Sequence, residues 1–124
     1  MISTGLSVAL GGAIGATLRW LTGLLTLRLL GPGFPWGTFT VNILGSFAMG
    51  VLVVVLAERG GQRIAPFAMT GLLGGFTTFS AFSLDAVRMI EDGQLAQAAL
   101  YTGASVVLGV LALVAGLMMA RTMI

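Results

Sequence analysis

The sequence contains no cysteine and no histidine, and its six basic residues are all arginine. Without cysteine there is no disulfide, no thiolate nucleophile and no sulfur ligand. Without histidine the usual proton shuttle near neutral pH is missing, and Cys/His metal sites go with it. The four carboxylates, Glu58, Asp85, Glu91 and Asp92, fall in loops or toward a helix end, so none is placed to activate one of the chain's hydroxyls. These absences argue against an enzyme. Charge is scarce as well: 8% of residues are charged, where a water-soluble globule carries about 25%. The net charge of +2 rests on a few arginines near helix ends rather than on a basic face, so nucleic acid is not an expected partner.

What fills the chain is apolar surface. Of 124 residues 57% are hydrophobic, and the mean hydropathy is +1.06, so the outside of the molecule faces lipid. A bilayer's hydrocarbon core takes roughly 20 apolar residues as helix. Four stretches qualify: Ser3 to Leu29, Gly37 to Ala57, Ala65 to Ile90 and Leu95 to Ala120. Between them lie Gly31–Pro35, Glu58–Arg63 and Glu91–Gly93, all rich in turn formers or charge. The expected fold is an all-α membrane protein, a single domain over residues 1–124 with four transmembrane helices. The first stretch lacks the charged n-region and short h-region of a cleaved signal and is expected to be retained.

An even number of spans puts both termini on one side. Arg59, Arg63 and Arg121 lie on that side, Arg28 and Arg88 on the other, and Arg19 within the first span. Orientation follows a Lys/Arg excess in cytoplasmic loops, and three against two is almost none. Insertion in both orientations is therefore expected. Two oppositely inserted copies can pair about a two-fold axis in the membrane plane.

The 19 glycines recur at helical spacing, as with Gly12 and Gly15 in the first span and Gly109 and Gly116 in the fourth, which lets membrane helices approach closely. The third span is the anomaly. Gly71-Leu72-Leu73-Gly74-Gly75-Phe76-Thr77-Thr78-Phe79-Ser80-Ala81-Phe82-Ser83 sets paired glycines and several hydroxyls at membrane depth. A break at its centre is expected, and irregular backbone there must line a cavity or bind something. Bonding back to the helix's own carbonyls accounts for a lone hydroxyl; this cluster exceeds that need. Phe79 and Phe82 share a helix face, and their electropositive ring edges suit an anion as well as plain packing suits lipid. Asn42, with Thr38 one turn earlier, serves either as interhelical glue or as a donor in a pathway. Arg19 either snorkels to the interface or draws anions into a vestibule. No carboxylate occupies a helix centre, which disfavours proton-coupled pumps and cation exporters.

At these residues the sequence resembles the CrcB/Fluc family of fluoride channels. The matching segments are Gly11 to Trp20, Gly37 to Phe47, and Gly71 to Asp85. The resemblance implies an antiparallel dual-topology homodimer with two narrow pores that pass fluoride passively, set in the cell (inner) membrane as a multi-pass protein among lipid. It further implies that Phe79 and Phe82 contact the ion through ring edges, with Asn42, Ser80 and Thr38 lining the pore. Tyr101 and Ser105 match a polar track on the fourth helix, and Arg19 a vestibule arginine. The carbonyls of Gly74 and Thr77 match the ligands of a structural sodium ion shared by both subunits.

Two positions depart from the family's pattern. Ala81 stands where a threonine is usual, and Gly109 stands at the second polar-track position, so each lacks a hydroxyl. The function expected is passive fluoride export that relieves fluoride toxicity. The alternative is a small dual-topology multidrug exchanger, disfavoured because such exchangers resemble one another in a first-helix glutamate that is lacking here. A non-transporting assembly subunit would explain the glycines but not the Thr/Ser/Phe cluster.

Overall fold

A computed structural model describes all residues, 1–124. Helix α1 spans Ile2–Leu30 and α2 spans Trp36–Glu58. A π-helical segment, Pro66–Leu73, runs into the short α3, Gly74–Phe76, and after three non-helical residues α4 covers Ser80–Glu91. Helix α5, Leu95–Met123, closes the chain. Four segments, Ile2–Leu30, Trp36–Glu58, Pro66–Glu91 and Leu95–Met123, are long and apolar enough to cross a membrane. They match the four expected stretches within three residues at every end. At 29 residues, α1 and α5 are each about 44 Å long by helical rise, longer than a hydrocarbon core of roughly 30 Å. They must tilt or reach past the acyl region.

The connections obey local chemistry. Gly31, at φ 80°, ends α1 with its N–H on the Leu27 carbonyl, and Gly93, also at φ 80°, turns the chain from α4 to α5. Side chains with a Cβ rarely adopt this left-handed backbone.

Packing is pairwise: α2 runs along α5, and α1 along the π-helical segment and α3. Both pairs rely on backbone meeting backbone. A Cβ at Gly50 would fall on the Leu113 carbonyl of α5, and one at Gly15 on the Leu72 carbonyl of the π-helical segment. Hydrogen is the only side chain that fits either place. Only 15 of 124 residues are buried, none of them charged or polar, so the molecule has almost no core of its own. Its one buried apolar cluster is Met89, Ala98 and Tyr101, with Phe34, Phe39 and Phe82 packed around it. Long rows of exposed leucine and valine on α1 and α5 suit lipid or another apolar surface, and not water.

Candidate functional site

The third span leaves the helix at Thr77, which is extended at φ −88° and ψ 160°, and resumes it at Ser80. The glycine pair lies before this point: Gly74 and Gly75 are helical, and Gly75 serves close approach, since a Cβ there would meet the Gly12 carbonyl of α1. Turning the chain at Thr77 frees the peptide of Thr78. Asn42 on α2 takes it up at both ends: Thr78 N–H donates to Asn42 Oδ1 at 2.8 Å, and Asn42 Nδ2 donates to the Thr78 carbonyl at 3.0 Å. A carboxamide carries an acceptor and a donor side by side and so replaces the lost helical partners of one residue's N–H and carbonyl. One turn along α2, Gly45 makes room for the Thr77 methyl group. From α1, Arg19 Nε donates to the Gly75 carbonyl at 3.0 Å. The non-helical segment is thus held from α2, and the short α3 just before it from α1.

The hydroxyls divide into two kinds. Thr77 Oγ1 donates to the Leu73 carbonyl at 2.9 Å and Ser83 Oγ to the Phe79 carbonyl at 3.0 Å, both returning to their own span. Thr78 Oγ1 accepts the Ala81 N–H at 3.2 Å, capping the start of α4, and lies 3.3 Å from Ser80 Oγ. Ser80 has no other side-chain bond and is exposed. Because Thr78 N–H is committed to Asn42, the Gly74 carbonyl receives no hydrogen bond, and neither does that of Thr77.

Six aromatic rings are in continuous contact, a line from Phe79 to Tyr101 that ends in a cluster with Phe34, Phe39 and Trp36. Phe79 and Phe82 lie 5.8 Å apart between centroids, Phe82 and Tyr101 5.2 Å, and Tyr101 and Phe34 5.4 Å; Phe39 and Trp36 continue it. Phe79 is 79% exposed, whereas Phe82 is half-buried and Tyr101 fully buried. The Tyr101 hydroxyl donates to Asp85 Oδ2 at 3.0 Å. One turn further along α5, Ser105 Oγ is buried and has no hydrogen-bond partner.

Two clefts flank this line. One, of about 280 Å³, is bordered by Asn42, Ser46, Met49, Thr77, Thr78 and Phe79. The other, of about 360 Å³, opens among the α1–α2 connection, α4 and the start of α5, and includes Asp85, Arg88, Asp92 and Gln97. Phe79 belongs to the first cleft and Asp85 to the second, with Phe82 and Tyr101 between them. The Phe82 and Tyr101 rings thus stand between two open spaces, each bordered by polar as well as apolar groups.

Of the residues singled out in the sequence, Asn42, Thr77, Thr78 and Phe79 meet in the first cleft. Phe82 and Tyr101 meet in the ring line, with Ser105 one turn beyond. Thr38 is half-buried one turn before Asn42. Arg19 stands on the α1 side and touches the backbone of α3. Sequence reasoning missed Asp85 as a partner of Tyr101. The available signal was its place three residues after Phe82, on the same helical face.

Fold and site together define a small multi-pass helical membrane protein whose polar groups gather around an interrupted third span. The chain belongs to the CrcB family, whose model, described as CrcB-like protein, Camphor Resistance (CrcB), matches residues 6–117. It is 61% identical over 121 residues to a protein of Cereibacter sphaeroides, covering 98% of this chain and 97% of that one. A relative from Ruegeria sp. is 58% identical, with 98% and 97% covered, and one from Paracoccus denitrificans 54%, with 98% and 97% covered. All three relatives are named fluoride-specific ion channel FluC.

Proposed function

We propose that this chain forms a fluoride-selective channel that exports fluoride passively across the cell (inner) membrane. The ring line from Phe79, which borders one cleft, through Phe82 to Tyr101 and Asp85, which borders the other, is the observation that carries the reading. The names of the relatives agree with it. Fluoride is small and strongly hydrated, so a narrow path must replace its water with donors. Ring edges of Phe79 and Phe82, the hydroxyls of Ser80, Thr38 and Tyr101, the unpartnered Ser105 and the second amide proton of Asn42 are of that kind. None carries a full positive charge, which keeps the ion from binding too tightly to leave. The Tyr101 hydroxyl keeps its proton and can turn its hydrogen bond from Asp85 toward an arriving anion. Arg19 raises the local anion concentration at a vestibule. Ser46 compensates for the hydroxyl missing at Gly109, because a Cβ there would stand only 3.8 Å from Ser46 Oγ.

The working unit is an antiparallel homodimer of dual topology. Phe79, Ser80 and Gly74 are exposed in the single chain, so an inverted copy laid over this face would complete each path and cover the broken third helix. Two such copies bring four carbonyls of Gly74 and Thr77 together. These oxygens lack hydrogen bonds, and no cluster of His, Cys, Asp or Glu offers an alternative metal site. A set of neutral oxygens fits a hard cation, and a structural sodium ion would satisfy it and lock the two broken helices.

Transport needs no coupled energy source, since a negative interior favours anion exit by about 2.3 kcal/mol per 100 mV. Purified protein in fluoride-loaded liposomes, given a potassium ionophore to dissipate charge, should release fluoride to an external electrode. Release no faster than from protein-free liposomes would sink the proposal. Reporters fused to the C-terminus should appear on both sides of the membrane; appearance on one side alone rules out dual topology.

A further inference from the structure

Phe34 lies in the Gly31–Pro35 connection between α1 and α2, where an aromatic ring has no obvious duty. The structure gives it one. Gln97 Nε2 at the start of α5 donates to the Gly33 carbonyl at 2.8 Å and ties the connection down. Phe34 is then half-buried, 4.6 Å from Trp36 and 5.8 Å from Phe39, with its ring set against Tyr101 at 5.4 Å and 88°. This edge-to-face geometry is the favoured one for aromatic pairs. Tyr101 is consequently held between Phe82 on one side and Phe34 with Phe39 on the other.

Phe34 also borders two spaces of opposite character. One is the polar cleft containing Asp85 and Arg88; the other is an apolar groove of about 700 Å³ lined by Phe39, Leu100 and Ala104. The ring is part of the wall between them. A phenol has two side-chain torsions, and its hydroxyl, at the far end, moves most when the ring tilts. Removing the ring at residue 34 opens space beside Tyr101 into which it can tilt, away from the 3.0 Å bond to Asp85.

We propose that Phe34 is a positioning residue: it touches no ion, seats the Tyr101 ring so that its hydroxyl stays on Asp85, and separates that hydroxyl from the apolar groove. Its effect on transport rests on the channel reading above; its effect on Tyr101 does not. Tyr101 is the only tyrosine in the chain, so the tyrosine Raman doublet of the purified protein reports the hydrogen bonding of this one hydroxyl.

Phe34→Leu keeps apolar bulk and removes the aromatic edge. The doublet should move toward that of a weakly donating hydroxyl, and fluoride efflux should slow about tenfold, the worth of one hydrogen bond. Tyr101→Phe should slow efflux by a similar factor, and the double variant should be no slower than Tyr101→Phe. An unchanged doublet, or a double variant slowed by the product of the two factors, would overturn the proposal, because a merely structural Phe34 acts independently of the hydroxyl. Phe34→Met, also apolar and without a ring, is read in the same way if the leucine variant does not fold. Wild-type protein that passes no fluoride overturns the channel reading instead, and the doublet alone then decides the role of Phe34.

Discussion

Phe79→Ile and Phe82→Ile should each slow fluoride efflux by roughly ten- to a hundredfold while leaving the assembly state of the protein unchanged. The expectation follows from separating what the rings contribute to packing from what they offer an ion. Isoleucine is apolar and bulky, so the packing of Phe82 against Tyr101 is largely kept; hydrophobic swaps of similar size cost under about 1.5 kcal/mol. Phe79 is mostly exposed and contributes still less to the stability of the single chain. What isoleucine lacks is an electropositive edge. A contact to a charged group is worth about 1.5–3 kcal/mol, and each 1.36 kcal/mol on a barrier is about tenfold in rate. Efflux from liposomes is the measurement, with gel filtration as the check on assembly. Unchanged efflux in both variants would mean that the rings only pack.

Asn42→Ala should be damaging in a different way, lowering stability and flux together. Its carboxamide holds the backbone N–H and the carbonyl of Thr78 within the membrane span, where lipid offers them no partner. An unsatisfied buried donor or acceptor costs about 1–3 kcal/mol; these two bonds are part-buried, so losing both partners should destabilise the protein by roughly 1–3 kcal/mol. The displaced peptide would also misplace Phe79 and Ser80, which follow directly. Equilibrium unfolding in mixed detergent, read alongside efflux, separates the possibilities. Slower efflux at unchanged stability would make Asn42 an ion donor alone, with no splinting role.

The two predictions touch the same segment for different reasons, and the sequence hinted at both. The Thr/Ser/Phe cluster of the third span was conspicuous because hydroxyls and paired glycines are out of place at membrane depth. Their individual duties were not legible. Thr77 and Ser83 bond back to their own span, Thr78 caps α4, and Ser80 keeps an exposed hydroxyl. Each outcome depends on local backbone angles that residue identity does not encode. The glycine pair attracted attention as a breaking point, yet it is helical and provides close contact with α1.

The four spans, their boundaries and the scarcity of charge within them were determined by the sequence alone. Hydropathy over a helix length is a local sum, and lipid imposes the same length on every span. The partnerships were decided only by the tertiary structure: Asn42 with Thr78, Arg19 with the Gly75 carbonyl, Asp85 with Tyr101, and Phe34 with the far side of that ring. These pairs are separated by 16 to 67 residues along the chain. For Arg19 and Asn42 the meeting follows from glycines, which let α1 approach α3 and α2 approach Thr77 closely. For Tyr101 it follows from aromatic packing, and both fix the rotation of a helix about its axis. Composition and spacing carry no record of that rotation, and it selects which polar groups face one another.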